Sequence, residues 1–430
     1  MTEERYIEID SMNEEQAGTI EEAERLEYNR MNYIKETDQE SAFEDLLAQI
    51  ETAQQGYLNV WQTGFSLLDD KLDGGFLGGN LIILGAVSSL GKTTFALQIA
   101  DQIASFGKDV LIFSLEMSKK ELNAKSISRN TFKITDRGIT KDKYPVRDPR
   151  QKYRVTMGDV LRGRVGLRGE AKRELFEEAL TMSRKQSEHI FIWRDNDVDL
   201  DKIADIIQLH KDIHNQSPFV IIDYLQILKA RQESKTTDKR LLTDDDVNRL
   251  KDLAEEKDLP IMVISSFNRT NYIEPASMGS YKESGTIEYS ADTLIALQYS
   301  GMAYKKFKCI PKGGKKEPYY KYKSKIAHDN RVRSLIEKMD KDGAAGEFLP
   351  IDVVLLKNRG VSKGKVLFEF CPKFNIFREK TNQDTTPYDY GADIIEEDGD
   401  GDDSSGLDVN SLELPEIPKN SKISIGAVIH

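Results

Sequence analysis

Cysteine and long apolar runs are scarce in this sequence of 430 residues. The two cysteines, Cys309 and Cys371, lie far apart, which excludes a zinc site built from several thiolates and fits a reducing compartment. No apolar run approaches the ~20 residues that a membrane-spanning helix needs. The N-terminus MTEERYIEID has neither the basic nor the apolar region of a leader. We therefore expect a cytoplasmic protein with no membrane partner.

Basic residues are scarce at both ends of the chain. Residues 1–51 carry sixteen acidic and four basic side chains, and residues 381–418 carry twelve acidic side chains and no basic ones. Each segment has a net charge of -12, and the last twelve residues add two lysines, so residues 52–380 have a net charge of +10. A basic body permits a polyanionic partner, although two solubilising tails on an ordinary enzyme would give the same asymmetry.

The sequence predicts three parts. Residues 1–56 form an acidic helical extension with a linker helix. Its apolar residues follow helical spacing and need another surface to cover them: Phe43, Leu46, Leu47 and Ile50. Residues 57–380 alternate short apolar runs with helices, which predicts an α/β fold with a mainly parallel sheet that ends in a hairpin around residues 357–364. Residues 381–430 form an acidic tail too poor in apolar residues to order itself, so we expect it to be disordered.

A phosphate-binding loop follows the first predicted strand of the sheet. The apolar run at residues 81–84 leads into AVSSLGKTT, and a helix follows. In this context backbone N–H groups converge on phosphate oxygens, the lysine reaches the terminal phosphates and the first threonine binds magnesium. We expect ATP and Mg²⁺ as cofactors, with these residues around the nucleotide: Ser88, Ser89, Leu90, Gly91, Lys92, Thr93 and Thr94.

Two other predicted strands end in carboxylates. The run at residues 219–222 ends in Asp223, which we expect to join Thr93 as a metal ligand. A second run, which we expect on a neighbouring strand, is followed by Glu116 as the general base beside the phosphates. Taken singly, such a carboxylate is more often a helix cap or a solvated residue. The phosphate loop, Asp223 and Glu116 each follow a predicted strand, and together they are the groups that ATP hydrolysis needs. Their combination favours a nucleoside triphosphatase.

Several segments resemble the ATPase domain of DnaB-type replicative helicases: SSLGKTTFALQIA, SLEMS, IIDYLQIL, LKDLAEEKDLPIMVIS, ESGTIEYSAD and KNRG. The resemblance spans roughly residues 57–378, with gaps. It implies a RecA-like P-loop NTPase core, ring-shaped hexamers with ATP between subunits, and one DNA strand threaded through the pore. It also implies that Lys357 and Arg359 reach the neighbour's γ-phosphate, with the arginine acting as a finger in trans. Without the resemblance, this pair would be interpreted as solvated turn charges.

The resemblance also implies DNA contacts on two pore-lining loops. Residues 229–242 hold five basic and two acidic side chains, and residues 270–282 occupy the second pore-lining position. Such loops hold phosphates without reading sequence, although many polar loops are only solvated. The residues expected to bind single-stranded DNA are Lys229, Arg231, Lys235, Lys239 and Arg240.

Several features depart from the family. Ser266 stands where the family usually has a glutamine that senses the γ-phosphate, so coupling to DNA is in doubt. The family's helical N-terminal domain, which forms a collar and meets primase, has no room in residues 1–56, and we expect a linker helix on the adjacent subunit instead. Two basic insertions, at about residues 132–173 and 301–343, suit nucleic-acid contact, a surface excursion or a subunit contact about equally well. The second holds thirteen basic and five acidic residues interleaved with aromatics.

The sequence therefore predicts an ATP-dependent DNA helicase that translocates on single-stranded DNA as a homo-oligomer, expected to be a hexamer. It would replicate a chromosome or a mobile element, with replication or loader proteins as partners. The alternative is a RecA-like, DNA-stimulated ATPase that serves recombination or defence without unwinding, which Ser266 and the insertions support. A module with a purely structural nucleotide is least favoured, because Glu116, Asp223 and Arg359 are all present.

Overall fold

The structure is a computed structural model of the chain. The residues that it describes are 20–54, 59–136, 148–165, 169–195, 198–223, 239–268, 275–281, 284–300, 306–307, 319–320, 325–360 and 363–380. The acidic tail at residues 381–430 lies outside the described residues, and so do Lys229, Arg231 and Lys235 of the expected DNA contacts. Every described helix is either too short or too polar to cross a bilayer.

Two helices precede the sheet, α1 (Ile20–Thr37) and α2 (Gln39–Gln54). They are separated at Asp38, whose carboxylate accepts a hydrogen bond from the Glu40 N–H at 3.1 Å and so caps the second helix. Large apolar side chains of both helices are exposed: Leu26, Tyr28, Met31, Tyr33, Ile34, Phe43, Leu46, Leu47 and Ile50. These two helices therefore leave apolar surface uncovered in the single chain.

Nine strands form the main sheet: β3 (Leu81–Ala86), β4 (Val110–Ser114), β5 (Ile190–Trp193), β6 (Phe219–Asp223), β7 (Ile261–Ser266), β8 (Thr293–Tyr299), β11 (Leu349–Asn358), β12 (Gly364–Cys371) and β13 (Ile376–Glu379). Their order across the sheet is β13-β12-β11-β8-β3-β7-β6-β4-β5. In this spatial order, each strand from β8 through β3, β7, β6 and β4 to β5 pairs in parallel with the next. The pairs β8–β11, β11–β12 and β12–β13 are antiparallel. The mainly parallel sheet and the final hairpin are thus confirmed.

Two small antiparallel pairs lie outside the main sheet, β1 (Val60–Trp61) with β2 (Phe76–Leu77) and β9 (Lys306–Phe307) with β10 (Tyr319–Tyr320). The remaining α-helices are α3 (Ser66–Lys71), α4 (Lys92–Ser105), α5 (Lys119–Asp136), α6 (Met157–Leu161), α7 (Glu170–Ser187), α8 (Leu200–His214), α9 (Lys239–Lys257), α10 (Ser284–Ser290) and α11 (Lys325–Ala345). Short 3-10 turns occupy Pro149–Tyr153, Met278–Ser280 and Pro372–Phe374.

The central strands are buried along their whole length. Every residue of β3, β4, β6 and β8 is buried, which is typical of a parallel sheet covered by helices on both faces. Phe95 of α4 stacks on Phe65 at a centroid distance of 5.5 Å and meets Phe368 and Phe377 edge-on at 5.7 and 5.1 Å. These contacts attach the helix that follows the phosphate loop to the antiparallel end of the sheet.

The two basic insertions contain more regular structure than their composition suggests. In the region of residues 301–343, α11 forms a helix of 21 residues. Its C-terminal half is attached to the core, because Ile336 and Met339 pack on core residues and the Tyr299 hydroxyl donates to Asp340 Oδ1 at 2.8 Å. At the start of the earlier insertion, Ile134 of α5 packs with Ile127 of the same helix and with Leu175 of α7.

A glycine of β3 allows close packing of two aromatic rings beneath the phosphate loop. A Cβ at Gly85 would lie 2.3 Å from Tyr281 Cε1 and 2.5 Å from Phe267 Cε1. Gly85→Ala should therefore lower the free energy of unfolding by about 1–3 kcal/mol, because the rings must shift. Thermal unfolding measures this, with Gly279→Ala as the control, since its Cβ would have no neighbour closer than 3.8 Å. Equal melting temperatures for the two variants would contradict the packing described.

Candidate nucleotide-binding site

The predicted phosphate loop connects the end of β3 to the start of α4. Gly91 has a φ of 90° and Ser89 a φ of 66°, so the chain turns sharply into the helix. A Cβ at Gly91 would lie 2.8 Å from Phe370 Cζ, and the left-handed φ also favours glycine. The helix begins directly after this turn, and the start of a helix, where backbone N–H groups lack partners within the helix, suits an anion such as phosphate.

Lys92 places its charge inside this loop. Its Nζ donates to the carbonyl oxygens of Ala86 at 3.1 Å and Val87 at 3.2 Å. The ammonium group is thus held beside the backbone that would surround the terminal phosphates. Ser266 lies next to the same loop, because β7 pairs with β3 and aligns Ser266 with Ala86. Ser266, which stands where the family usually has a glutamine, therefore lies beside the phosphate loop, as expected.

Thr93 and Asp223 form the candidate metal site. The Thr93 hydroxyl donates to Asp223 Oδ2 at 2.8 Å, so the two residues that the sequence predicts as metal ligands are in contact. Burial raises the pKa of Asp223 to about 6, the Thr93 hydrogen bond opposes this, and the negative charge of Glu116 adds to it. A buried carboxylate and a hydroxyl fit a magnesium ion that takes its other ligands from phosphate and water. No group of three or more metal-binding side chains occurs among the described residues.

Glu116 lies close to Asp223 but not on a strand next to β3. Strand β4 is the neighbour of β6, which carries Asp223, whereas β7 and β6 separate β4 from β3. The pairing of β4 with β6 aligns Ser114 with Asp223, and the Leu115 N–H donates to the Asp223 carbonyl at 2.9 Å. Glu116 follows directly and is exposed at the same edge of the sheet. It is therefore placed to accept a proton from water near the candidate metal site.

Lys125 is a residue of this site that the sequence reasoning missed. Its Nζ donates to Thr94 Oγ1 at 2.9 Å and to Asn375 Oδ1 at 3.2 Å. Burial, together with the positive charge of Arg129, lowers the pKa of Lys125 to about 8, while the nearby carboxylates, among them Asp223, oppose the shift. No local motif marks this lysine, because its partners, Thr94 and Asn375, lie far from it in the sequence.

Lys357 and Arg359 lie at the other edge of the sheet. Because β11 runs antiparallel to β8, Asn358 is aligned with Thr293 at the start of β8, which is level with Ile82 near the start of β3. The phosphate loop leaves β3 at its opposite end. The structure thus brings Lys92, Thr93, Asp223 and Glu116 together and keeps the Lys357–Arg359 pair away from them.

Both basic side chains of the pair are held by the end of α10. Lys357 Nζ donates to the carbonyls of Glu288 at 2.7 Å and Tyr289 at 3.1 Å, and an Arg359 nitrogen donates to the Tyr289 carbonyl at 2.8 Å. Arg359 also pairs with Asp292 at 3.1 Å. Burial, and then the charge of Arg359, lower the pKa of Lys357. These are therefore ordered residues and not freely solvated turn charges.

Comparison with known families agrees with this arrangement. The model of the DnaB-like helicase C terminal domain matches residues 61–379. The chain belongs to this family. The sequence-based resemblance is thereby confirmed.

Curated relatives and solved structures extend the comparison. The replicative DNA helicase DnaB of Helicobacter pylori (strain J99) is 25% identical over 342 residues, which cover 76% of this chain and 62% of the relative. That of Geobacillus stearothermophilus is 28% identical over 269 residues, covering 59% and 50%. The chain thus spans roughly half to three-fifths of the length of these relatives. A solved DnaB-like replicative helicase, described with its interactions with primase, has a TM-score of 0.53, 20% identity and coverage of 78% of this chain and 66% of its own. The DnaB-like domain therefore has the predicted RecA-like fold.

The loops expected to contact DNA are described only in part. Lys239 and Arg240 were predicted to lie in a loop that reaches residue 242, but they form the first turn of α9. The buried apolar face of this helix begins only at Val247, so the sequence before it gave no helical periodicity. Of the second loop, residues 275–281 are described, and Tyr281 is fully buried with its hydroxyl donating to the Ile295 carbonyl at 2.9 Å. Tyr281 is therefore part of the core, whereas Ser277 and Gly279 of the same segment are exposed.

The pKa of Lys125 predicts a pH-dependent stability. The value of about 8 in the folded DnaB-like domain lies below the ~10.4 of an unfolded lysine, so between these values the unfolded state binds more protons. Over this range, rising pH should stabilise the wild type relative to Lys125→Met. Urea unfolding monitored by tryptophan fluorescence at several pH values measures the difference. The exposed Lys120 of the same helix provides the control Lys120→Met, and the same pH trend in both variants would contradict the assignment.

Proposed function

We propose that the protein is an ATP-dependent DNA helicase that works as a ring of identical subunits, a hexamer by analogy with its family. The observation that carries the proposal is the placement of the phosphate loop and the Lys357–Arg359 pair at opposite edges of one sheet. The six residues of β3 separate these edges by roughly 20 Å. An arginine cannot reach its own phosphate loop over this distance, so a second copy of the chain would complete the site.

Within one subunit, the residues of the candidate site have distinct roles. Lys92 would exchange the Ala86 and Val87 carbonyls for the terminal phosphates of ATP. Thr93 and Asp223 would hold Mg²⁺, which neutralises phosphate charge when bound. Glu116 would orient the attacking water and accept its proton. Arg359 of the adjacent subunit would then stabilise the charge that develops on the transferred phosphoryl group.

The exposed apolar surface of α1 and α2 supports assembly into a ring. The i, i+3, i+4, i+7 set on α2, namely Phe43, Leu46, Leu47 and Ile50, is between 44% and 63% exposed. Surface of this kind usually marks an interface. We propose that α2 is a linker helix that packs on the neighbouring subunit and so brings Arg359 to the nucleotide.

Single-stranded DNA is the proposed substrate of the motor. The basic character of residues 52–380 and the lysines and arginines of residues 229–242 support contacts with phosphates, which would be salt-sensitive and independent of sequence. The family supports replication of a chromosome or a mobile element, with loader or other replication proteins as partners. The widely separated cysteines support action in the cytoplasm.

One observation favours a second function. Ser266 lies beside Ala86 of the phosphate loop, where a short hydroxyl cannot span the distance that a glutamine covers. Weak coupling there would suit a DNA-stimulated ATPase that serves recombination or defence without separating strands.

Strand separation of a forked DNA distinguishes the two functions. The purified wild type should unwind the fork with ATP, and Glu116→Gln should lose ATP hydrolysis and unwinding by at least about 100-fold, because the general base is removed. Glu177→Gln removes an exposed carboxylate on α7 and should retain both activities. DNA-stimulated hydrolysis without unwinding by the wild type would instead support the second function.

A further inference from the structure

The carboxylate of Asp292 connects three parts of the fold that are distant in sequence. Its Oδ2 accepts hydrogen bonds from the Leu81 N–H at 2.8 Å and from Lys251 Nζ at 2.7 Å. Its Oδ1 accepts from Arg359 Nη1 at 3.1 Å. Only 4% of Asp292 is exposed. The carboxylate therefore joins the first residue of β3, helix α9 and the turn that carries Arg359.

Arg359 is fixed on one side and open on the other. Besides the bond to Asp292, its Nη2 donates to the Tyr289 carbonyl, and its backbone N–H donates to the Asp292 carbonyl at 3.0 Å. Two side-chain contacts define the plane of the guanidinium group. Even so, 53% of the arginine side chain is exposed. It is held in one orientation and remains accessible to another molecule.

Helix α9 holds the segment that carries Asp292. Lys251 donates to Asp292 and also to the Gly79 carbonyl at 3.0 Å. One turn earlier, Asn248 Oδ1 accepts from the Ser290 hydroxyl at 2.6 Å. The position of Asp292, and through it that of Arg359, thus depends on α9.

We propose that Asp292 is a positioning residue for Arg359, and that Lys251 holds Asp292 in place for this role. The proposal rests on the proposed function, in which Arg359 enters the nucleotide site of the adjacent subunit. A free arginine samples many rotamers and loses entropy on binding. Asp292 restricts the side chain before the neighbour's phosphate arrives, so that less ordering remains for the transition state.

A purely structural role is the competing explanation. Asp292 also bonds the start of β3, the strand that leads into the phosphate loop of its own subunit. Loss of Asp292 could then damage that subunit's nucleotide site and leave Arg359 unaffected. The two explanations place the defect in different subunits of an interface, and this difference can be measured.

The test variant is Asp292→Asn. The amide keeps the size of the carboxylate but replaces one oxygen by an NH₂ group, which cannot accept a hydrogen bond from Arg359 or Lys251. We expect kcat for ATP hydrolysis to fall by about 10- to 100-fold while KM for ATP changes by less than about 2-fold, because a transition-state contact is lost and ATP binding is kept.

Mixed assemblies then locate the defect. Differently tagged chains are co-expressed, purified through both tags and assayed for ATP hydrolysis. Asp292→Asn should regain activity with Lys92→Ala, which supplies an intact arginine to the intact phosphate loop of its neighbour. It should gain nothing with Arg359→Ala, because both chains then lack a correctly held arginine. Recovery with Arg359→Ala and none with Lys92→Ala would overturn the proposal in favour of the structural role.

A reference mixture and two further variants complete the experiment. Lys92→Ala with Arg359→Ala must regain activity, and its failure would contradict the in-trans site itself and not only the role of Asp292. Lys251→Met should behave like Asp292→Asn, which covers the case that Asp292→Asn does not fold. Asp201→Asn removes the salt-bridge partner of Arg249, which lies on α9 like Lys251. This variant should keep full activity on its own, without a second variant chain in the assembly.

Discussion

The register between β3, β8 and β11 determines how far apart the phosphate loop and Arg359 lie in one chain. Parallel pairing of β3 with β8 puts the phosphate loop at one edge, and antiparallel pairing of β8 with β11 puts Arg359 at the other. Backbone hydrogen bonds along three buried strands fix this separation, so side-chain movement cannot remove it. The division of the site between two copies of the chain, as we propose it, would follow from this separation within the sheet.

Two buried carboxylates lie at the two edges of the sheet that this register separates. Asp223 is held by Thr93 at the phosphate-loop edge, and Asp292 is held by Lys251 at the other. An unpaired buried carboxylate is costly, so each site keeps its geometry through the partners it already has. Burial raises the pKa of Asp223 to about 6, and a bound cation would favour its charged form. Helix α9, whose first turn follows the expected DNA-binding loop, also carries Lys251 at the arginine edge.

The parts of the fold that could be predicted are those with a local signal. The phosphate loop has one because strand, loop and helix are consecutive, and Asp223 and Glu116 have one because each follows an apolar run. The strand order had none, so the sequence did not show that β4 pairs with β6 or that two strands separate it from β3. Lys125 was missed for the same reason, since Asn375 is 250 residues away from it.

We propose that one chain alone cannot hydrolyse ATP efficiently. The most direct test measures ATP turnover per subunit of the wild type over a range of protein concentrations, with the assembly state followed by sedimentation in the same buffer. The structure predicts that turnover falls in parallel with the fraction of assembled subunits and is lost in the monomer. Full turnover by a demonstrated monomer would contradict the assignment of Arg359 to the neighbouring site.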